Sequence, residues 1–250
     1  MDKSKKQLDG QLSFDFCLEK RHYVCQANSL VGGKQALKLN SAKIIRAAIM
    51  QVVRDDEELK PYTISIAELA ELLSVSKSNI YRDIESIVDD ILNNPVYIKE
   101  ETEKRVRWIK IPWVTRCEYN SNIGVFIKLN DELKPFLLNL KDHYTQYTLD
   151  SILVMKSAYS IRLYEMIQSR LMSKTLPRDG TNIEMSVETL RECCGCESKA
   201  YNTFSNFRNR VIDVAVKEIN EKTLYTLSFD YVKKGRSVTG MIFHINMKYH

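Results

Sequence analysis

The sequence predicts an α+β, mainly helical fold in which two similar units follow each other along the chain. With 250 residues, the chain exceeds the ~100 to 150 residues of a typical domain and suits two small ones. Hydrophobic residues make up 44% and charged residues 28%, with 8 Gly and 5 Pro, which indicates packed cores and excludes disordered, collagen-like and low-complexity proteins. One order of helices and strands also occurs twice, as the following elements indicate.

The first predicted helix follows an amino-terminal extension. Residues 1–23 show no clear periodicity and are expected to lie outside the first unit. Apolar residues then recur at helical spacing from Ile44 to Val53, which predicts an amphipathic helix capped by Asn40 or Ser41. The acidic sequence DDEE and Pro61 are expected to end it.

Two further helices and a hairpin are predicted next. Ser65 precedes IAELAELL, three residues intervene, and KSNIYRDIESIVDDILNN carries an apolar stripe until Pro95. The runs VYIKEE and RVRWIKIPWV are rich in β-forming residues around a charged tip, and GVFIKLN predicts another strand. Helix, helix, turn, helix and hairpin is the order of a winged helix, which predicts a first winged-helix domain over residues 24–148.

An aromatic connector and a long helix are expected to lead into the second unit. The segment PFLLNLKDHYTQYTLD, residues 135–150, contains one Pro and no Gly and is expected to be packed. Apolar residues at helical spacing predict a single helix from Ser151 to Met172. A loop with Pro177 and Gly180 is expected to follow it.

The second unit repeats the pattern of the first. Ser186 is expected to cap VETLRECCG, and a long helix is predicted from Lys199 to Thr223. The runs LYTLSFDYV and TGMIFHINM predict a hairpin joined by the basic turn KKGRSV. A second winged-helix domain is therefore expected over residues 149–250. Inward positions of the long helix are Tyr201, Phe204, Phe207, Val211, Ala215 and Ile219.

The charge distribution favours an anionic partner for the second unit. Residues 1–150 contain 22 basic and 22 acidic side chains, whereas residues 151–250 contain 15 basic and 10 acidic ones. The whole surplus of the net charge of +5 therefore lies in the last hundred residues. A basic region attracts polyanions, of which nucleic acid is the usual one, although ordinary soluble domains carry similar excesses.

The long helix is the predicted base-reading element. In a helix-turn-helix the second helix lies in the major groove, where Asn pairs with adenine edges and Arg with guanine. A solvated helix face with chance amides is the alternative. Arg208 lies nearer the apolar stripe, so it either pairs internally with a carboxylate or contacts DNA. The outward face of this helix carries Lys199, Asn202, Ser205, Asn206, Asn209 and Arg210.

The first unit and the two wing tips offer further DNA-binding candidates. The first turns of the first recognition helix carry Lys77, Ser78, Asn79 and Arg82, but several carboxylates follow them. In the first wing tip, Lys104, Arg105 and Arg107 mix with glutamates, so a plain charged hairpin is at least as consistent as a phosphate contact. The second tip carries cations without adjacent carboxylates, and we expect the second domain to supply most of the affinity. Its basic residues are Lys233, Lys234 and Arg236.

Enzymatic and metal sites are not predicted. No glycine satisfies GxxxxGK[ST], the four His form no His-x-His, and we expect no catalytic residue and no cofactor. Cys193 and Cys196 have CxxC spacing, but no second pair or His lies in register for zinc, which favours helix-packed thiols. The six Cys form no regular framework and are expected to be reduced.

The sequence also predicts a cytoplasmic protein without a membrane partner. No apolar run approaches the ~20 residues that cross a bilayer. The amino terminus is polar and lacks the apolar segment and cleavage site of a secretory signal.

Several segments resemble the iteron-binding plasmid replication initiators, a family with two tandem winged helices. The most specific are SIRLYEMI at residues 160–167 and the KEIN-EKT and KKGR sequences within residues 217–236. The resemblance implies binding to direct repeats (iterons) in double-stranded DNA, repression of the initiator's own promoter, and recruitment of host replication proteins such as an initiator and a helicase. It places the start of the DNA-reading helix at residues 207–210 and so adds weight to Arg208 as a contact. Many relatives have a run of basic residues where this chain has Arg-Asn-Arg. The DNA sequence of the repeats that those relatives recognise therefore cannot be assigned to this protein.

The resemblance also suggests an equilibrium between a monomeric initiator and a dimeric repressor. A monomer whose two domains enter neighbouring major grooves would read an asymmetric site, whereas a dimer would prefer inverted half-sites. We expect the connector around Tyr144 to Leu149 to change shape between the two. A dedicated repressor on the same scaffold is an open alternative; a DNA-nicking enzyme and an interaction protein without DNA binding fit the residues less well.

Overall fold

The computed structural model describes residues 12–13, 23–53, 56–102, 105–171 and 180–248, which form two winged-helix units. Most of the amino-terminal extension, Lys104 of the first wing tip and Pro177 lie outside these residues. The expectation that the whole extension lies outside the first unit is wrong, because Leu12 and Ser13 pair in parallel with Tyr62 and Thr63. The first unit contains β1 (Leu12–Ser13), β2 (Tyr23–Ala27), α1 (Asn28–Gly32), α2 (Leu39–Met50), β3 (Tyr62–Ile64), α3 (Ile66–Leu73), α4 (Lys77–Asn93), β4 (Val96–Thr102), β5 (Arg105–Ile111), β6 (Val114–Asn120), β7 (Gly124–Leu129), α5 (Lys134–Leu137) and β8 (Tyr144–Thr148).

Two helices, α6 (Asp150–Leu153) and α7 (Ala158–Arg170), connect the two units. The second unit contains β9 (Thr181–Ser186), α8 (Val187–Cys193), β10 (Tyr225–Lys234) and β11 (Ser237–Met247). Between α8 and β10 lies the recognition helix, here called α9, which is made of Phe204–Phe207, a π-helical turn Arg208–Ile212 and Asp213–Lys222. The order of helices and hairpin confirms the predicted tandem winged helices.

Local sequence explains the helix-turn-helix of the first unit. Ser65 and Glu68 form a capping box, because each side chain accepts a hydrogen bond from the other's backbone N–H, at 3.2 Å and 2.8 Å. Ser74, with φ of 55°, ends α3, and Ser76 caps α4. Along α4, isoleucines 80, 84, 87 and 91 are buried, as the apolar stripe predicts.

The predicted cap of α2 is wrong. The helix begins at Leu39, and Ser41 is buried inside its first turn. The backbone N–H of Lys38 donates instead to the Asp90 carboxylate of α4, at 2.8 Å. A carboxylate from another helix, and not a local capping residue, therefore stabilises the start of α2.

The single helix predicted from Ser151 to Met172 is also wrong, because the helix is interrupted between α6 and α7. The Glu218 carboxylate of α9 accepts from the backbone N–H groups of Lys156 and Ser157, at 2.8 and 3.0 Å. Lys43 of α2 donates to the Leu153 carbonyl at the end of α6, at 2.6 Å. Groups distant in sequence thus satisfy the backbone at the break.

The strands of the described residues form four sheets. The first unit contains a four-stranded sheet in the order β1-β3-β7-β6 and the two-stranded wing β4–β5. The second unit has a three-stranded sheet in the order β10-β11-β9. Strands β2 and β8 pair antiparallel along all five residues, from Tyr23 opposite Thr148 to Ala27 opposite Tyr144. The predicted connector is therefore partly a strand, held against the start of the first unit.

Helix α7 lies between the two units. Its residues 160–167, the SIRLYEMI segment, are all buried, including Arg162 and Glu165. A helix that is buried on every side packs against neighbours all around. The two units therefore share a continuous packed interior around α7.

Candidate nucleic-acid interface

The recognition helix of the second unit begins later than predicted. The single helix from Lys199 to Thr223 is wrong: a 3₁₀ turn spans Lys199–Tyr201, and α9 starts at Phe204. Thr203 caps α9 by accepting from the Asn206 N–H, at 3.4 Å. Lys199 and Asn202 are exposed but precede the helix.

Arg191 of α8 holds the segment that precedes α9. Its guanidinium donates to the Asn202 carbonyl at 3.2 Å and lies 5.2 Å from the centre of the Phe207 ring. The backbone at Asn202 is therefore tied to the first helix of the helix-turn-helix, and the amino-terminal turn of α9 projects from the unit.

The exposed face of α9 has the predicted composition. Phe207, Val211, Ala215 and Ile219 are buried. These four positions are spaced by four, and on a regular α-helix each such step would rotate the stripe by ~40°. The π turn at Arg208–Ile212 unwinds the helix locally and keeps the stripe facing the core. The opposite face exposes Ser205, Asn206, Asn209 and Arg210.

Arg208 pairs with a carboxylate, one of the two possibilities that its position left open. Its Nε lies 3.3 Å from Asp213 Oδ2, and the side chain is 37% exposed, so the pair lies at the surface. The guanidinium also donates to the Tyr231 hydroxyl at 3.3 Å and to Asn209 Oδ1 at 2.6 Å. The hydrogen bond to Tyr231, followed by the charge of Asp213, raises the pKa of Arg208. Arg208 therefore orients the Asn209 amide, and its contact with DNA stays a prediction.

The second wing presents a basic tip. Lys233, Lys234 and Arg236 are exposed around Gly235, whose φ of 62° suits glycine in a tight turn. Among the described residues, no carboxylate pairs with these three cations. They are available for a phosphate backbone beside α9.

The first recognition helix, α4, offers fewer uncompensated charges. Lys77 and Ser78 are exposed at its start, and Asn79 is half-buried. Arg82 makes a two-pronged contact with Asp83, at 2.7 and 2.9 Å, and the hydrogen bond to Asp83 raises the pKa of Arg82. The Asp83 carboxylate thus offsets the positive charge of Arg82.

A buried ionic network that the sequence patterns did not predict joins α2, β8 and α7. Arg46 of α2 binds Glu165 of α7 through Nε at 3.0 Å and Nη2 at 2.9 Å, and Arg162 binds the same carboxylate at 2.7 Å. Tyr147 of β8 also donates to Glu165. Burial alone would raise the pKa of Glu165, but the two guanidinium groups lower it to about 2. The carboxylate is therefore ionised and holds side chains of α2, β8 and α7 together.

Cys193, Cys194 and Cys196 are buried free thiols, and burial raises the pKa of each. Within the described ranges, no cluster of three or more His, Cys, Asp or Glu could hold a metal ion. None of the helices in these ranges combines the length and apolarity that a membrane span requires.

Comparison with known proteins gives consistent matches. A family model described as Initiator Replication protein, WH1, matches residues 23–168, and one described as Initiator Rep protein, WH2, matches residues 186–245. A replication initiation protein of Escherichia coli is 22% identical over 228 residues, covering 90% of this chain and 69% of that protein. An uncharacterized 27.6 kDa protein of Escherichia coli is 23% identical over 240 residues, covering 91% and 97%.

A solved structure supports the fold. The crystal structure of Pi initiator protein in complex with iteron DNA matches with a TM-score of 0.72 at 18% identity, covering 92% of this chain and 98% of that one. The likeness places the same two winged helices in the same order. Together with the two family models, which span most of the chain, it leads to one conclusion: the chain belongs to the initiator replication protein family and carries its WH1 and WH2 regions in tandem.

Proposed function

We propose that this protein initiates plasmid replication by binding direct repeats in double-stranded DNA at the origin. The observation that carries the proposal is the exposed amide and guanidinium face of α9 beside a basic wing tip, in a chain of the initiator family. Asn206, Asn209 and Arg210 would read base edges in the major groove, and Lys233, Lys234 and Arg236 would contact phosphates. The Pi initiator, whose structure contains iteron DNA, supports this choice of partner.

The first unit has an auxiliary role in this proposal. Lys77, Ser78 and Asn79 at the start of α4 would approach a second major groove, while the Arg82–Asp83 pair weakens the attraction to phosphate. The division at residues 148 and 149 separates the two DNA-binding domains. The protein would act by binding and opening DNA, without covalent chemistry or a cofactor.

Self-association and host partners complete the proposal. A dimer would occupy inverted half-sites at the gene's own promoter and repress it, and the monomer would act at the origin, where host initiator and helicase proteins assemble. The resemblance to the initiator family supports these roles. The connector from Tyr144 to Leu149 would change shape between the two states, which requires the β2–β8 pairing to rearrange.

An origin test separates this function from that of a dedicated repressor. A plasmid that carries the repeats flanking the gene, but not the gene, should replicate only when the protein is supplied from a second molecule. The variant Arg210→Ala should abolish that replication, whereas Lys217→Ala, an exposed cation on the same helix, should not. Repression of the promoter without any support of replication would favour the repressor and overturn the proposal.

A further inference from the structure

The π turn of α9 brings together two charged residues that a regular α-helix would separate. Arg208 and Asp213 are five residues apart in sequence, which on an α-helix places them about 140° apart around the helix axis. In the π turn, the backbone N–H of Asp213 donates to the Arg208 carbonyl, and this hydrogen bond between residues five apart aligns them. Arg208 Nε accordingly lies 3.3 Å from Asp213 Oδ2.

All three nitrogens of the Arg208 guanidinium have protein partners. Nε and Nη2 donate to Asn209 Oδ1 at 3.0 and 2.6 Å, and Nη1 donates to the Tyr231 hydroxyl of β10 at 3.3 Å. The Tyr231 ring packs edge-on against Phe204, with centroids 5.6 Å apart. The Asp213 carboxylate, the neighbouring amide and the wing strand therefore hold Arg208 in one position.

Arg210, two residues further along the same helix, differs from Arg208. It is exposed, and within the part of the chain that the structure describes no hydrogen bond or ion pair holds its side chain. Of the two arginines that flank Asn209, one is therefore held by the protein and the other is available to DNA.

Stability does not account for the pair of Arg208 and Asp213. The two side chains are 37% and 45% exposed, and exposed ion pairs contribute little to the free energy of folding. An exposed carboxylate one turn after Asn209 also repels phosphates, so it lowers the affinity for any duplex. Such an unfavourable group increases specificity when it weakens binding to the wrong DNA sequence more than binding to the right one.

We propose that Asp213 is a specificity-determining residue, which keeps Arg208 on the Asn209 amide and away from the phosphates of DNA that lacks the repeat. An arginine without a protein partner contacts the phosphates of any sequence, whereas the held arginine orients an amide that pairs with a base edge. The inference rests on the proposed function and deepens it, because it names the group that limits binding to random DNA.

The variant Asp213→Asn tests the inference. Without the carboxylate, Arg208 should contact a phosphate, so the affinity for a random duplex should rise roughly 3-fold or more, and the slope of log K against log salt should become more negative by about one. The affinity for the repeat duplex should stay unchanged or fall, because the Asn209 amide is no longer held. Fluorescence anisotropy of labelled duplexes at several salt concentrations measures both affinities.

Two controls separate the release of Arg208 from the mere loss of a negative charge. Glu221→Gln removes another exposed carboxylate of α9, which lies 3.9 Å from Lys217, and should leave the ratio of the two affinities unchanged. In an Arg208→Ala background, Asp213→Asn should raise the affinity for random duplex no more than Glu221→Gln does. A full gain in that background, an unchanged salt slope in Asp213→Asn, or an equal fall of the ratio in Glu221→Gln would overturn the inference.

The same titrations distinguish the inference from the proposed function. If the native protein binds the repeat no more tightly than random duplex, the proposed function is contradicted and the inference with it. If the native protein prefers the repeat and Asp213→Asn has the same preference, only the role of Asp213 is contradicted.

Discussion

Arg46 of α2 and Glu165 of α7 form a salt bridge of 2.9 Å in which the two side chains are 1% and 0% exposed. Arg162 completes the network by pairing with Glu165 and donating to the carbonyls of Val31 and Gly33, at 2.6 and 2.9 Å. The charged residues of the SIRLYEMI segment are therefore buried, where they tie α7 to α2. Arg162 also donates to the Cys193 carbonyl of α8 at 3.2 Å, so the network reaches the second unit.

Loss of the Glu165 charge should destabilise the protein. Glu165→Gln leaves Arg46 and Arg162 buried without a counter-charge, and removing one partner of a buried ion pair costs ~3 to 5 kcal/mol. Urea unfolding at pH 7 measures the change in the free energy of unfolding. Glu221→Gln, a surface carboxylate paired at 3.9 Å with Lys217, is the control and should change that free energy by less than ~0.5 kcal/mol.

The same variant has a predicted pH dependence. The pKa of Glu165 is lowered from 4.5 to about 2 in the folded protein, so its stabilisation is complete above about pH 4.5 and is lost as the pH falls towards 2. The difference in unfolding free energy between the native protein and Glu165→Gln should therefore shrink over that range. A difference that stays constant from pH 7 to pH 3 would show that Glu165 is not the titrating group.

Mutations should distinguish residues that contact bases from residues that contact phosphates. Arg210→Ala or Asn206→Ala should cost ~1 to 3 kcal/mol on the specific repeat and much less on random duplex, because only base contacts depend on sequence. Lys234→Ala should weaken both complexes alike. Gel-shift titrations at one fixed salt concentration measure these losses, with Lys217→Ala as the control on the same helix. Equal losses on both DNAs for all three test variants would exclude α9 as the base-reading element.

The contributions of Arg208 and Asn209 to DNA binding should be coupled. Arg208 donates to the Asn209 amide oxygen through Nε and Nη2, at 3.0 and 2.6 Å, and so orients the amide that we propose reads DNA. In a double-mutant cycle on the specific repeat, Arg208→Ala and Asn209→Ala should be non-additive by at least ~0.5 kcal/mol. Additive losses would mean that Arg208 contacts DNA independently.

The cysteine cluster should be inert. Burial raises the pKa of Cys193 and of Cys196, the latter to about 11, so few thiolates exist at pH 8. Iodoacetamide at that pH should leave Cys193, Cys194 and Cys196 unmodified in the folded protein and modify them in guanidinium, as peptide mass spectrometry would show. A chelator should leave the melting temperature unchanged. Bound zinc that stabilises the fold would contradict the prediction of packed thiols.

The elements predicted correctly from sequence are those with local causes. Ser65, the IAELAELL stripe, the three-residue turn and Pro95 specify α3 and α4 from within a short segment. Ser186, which caps α8 by accepting from the Thr189 N–H at 3.0 Å, is a second such case. At these positions neighbours in sequence satisfy the backbone, so pattern and structure agree.

The errors have non-local causes. The break before α7 depends on Glu218, and the start of α2 depends on Asp90; both carboxylates come from distant helices. Strand β9 was not predicted, although Ile183 and Met185 alternate with polar residues, because six residues are a weak signal without the partner strand β11. The π turn in α9 was visible only as a spacing of four between apolar residues.

The sequence predicted which residues are exposed on α9, but it did not predict where that helix begins. Asn206, Asn209 and Arg210 lie on the exposed face that the helical wheel indicated, whereas Lys199 and Asn202 precede the helix. The buried network has a signal in the sequence that periodicity does not capture: Arg46 interrupts the apolar run IIRAAI, and Arg162 and Glu165 lie three apart within SIRLYEMI. A charge inside an apolar stripe indicates a buried partner. The division at residues 148 and 149 stays a prediction.

We predict that one chain, with its two winged helices packed together around α7, reads one direct repeat. Light scattering on the complex with a duplex that contains a single repeat of about 20 bp, enough for two major grooves one turn apart, measures the number of bound chains. One chain per repeat is the expected result. Two chains on that duplex would contradict this prediction.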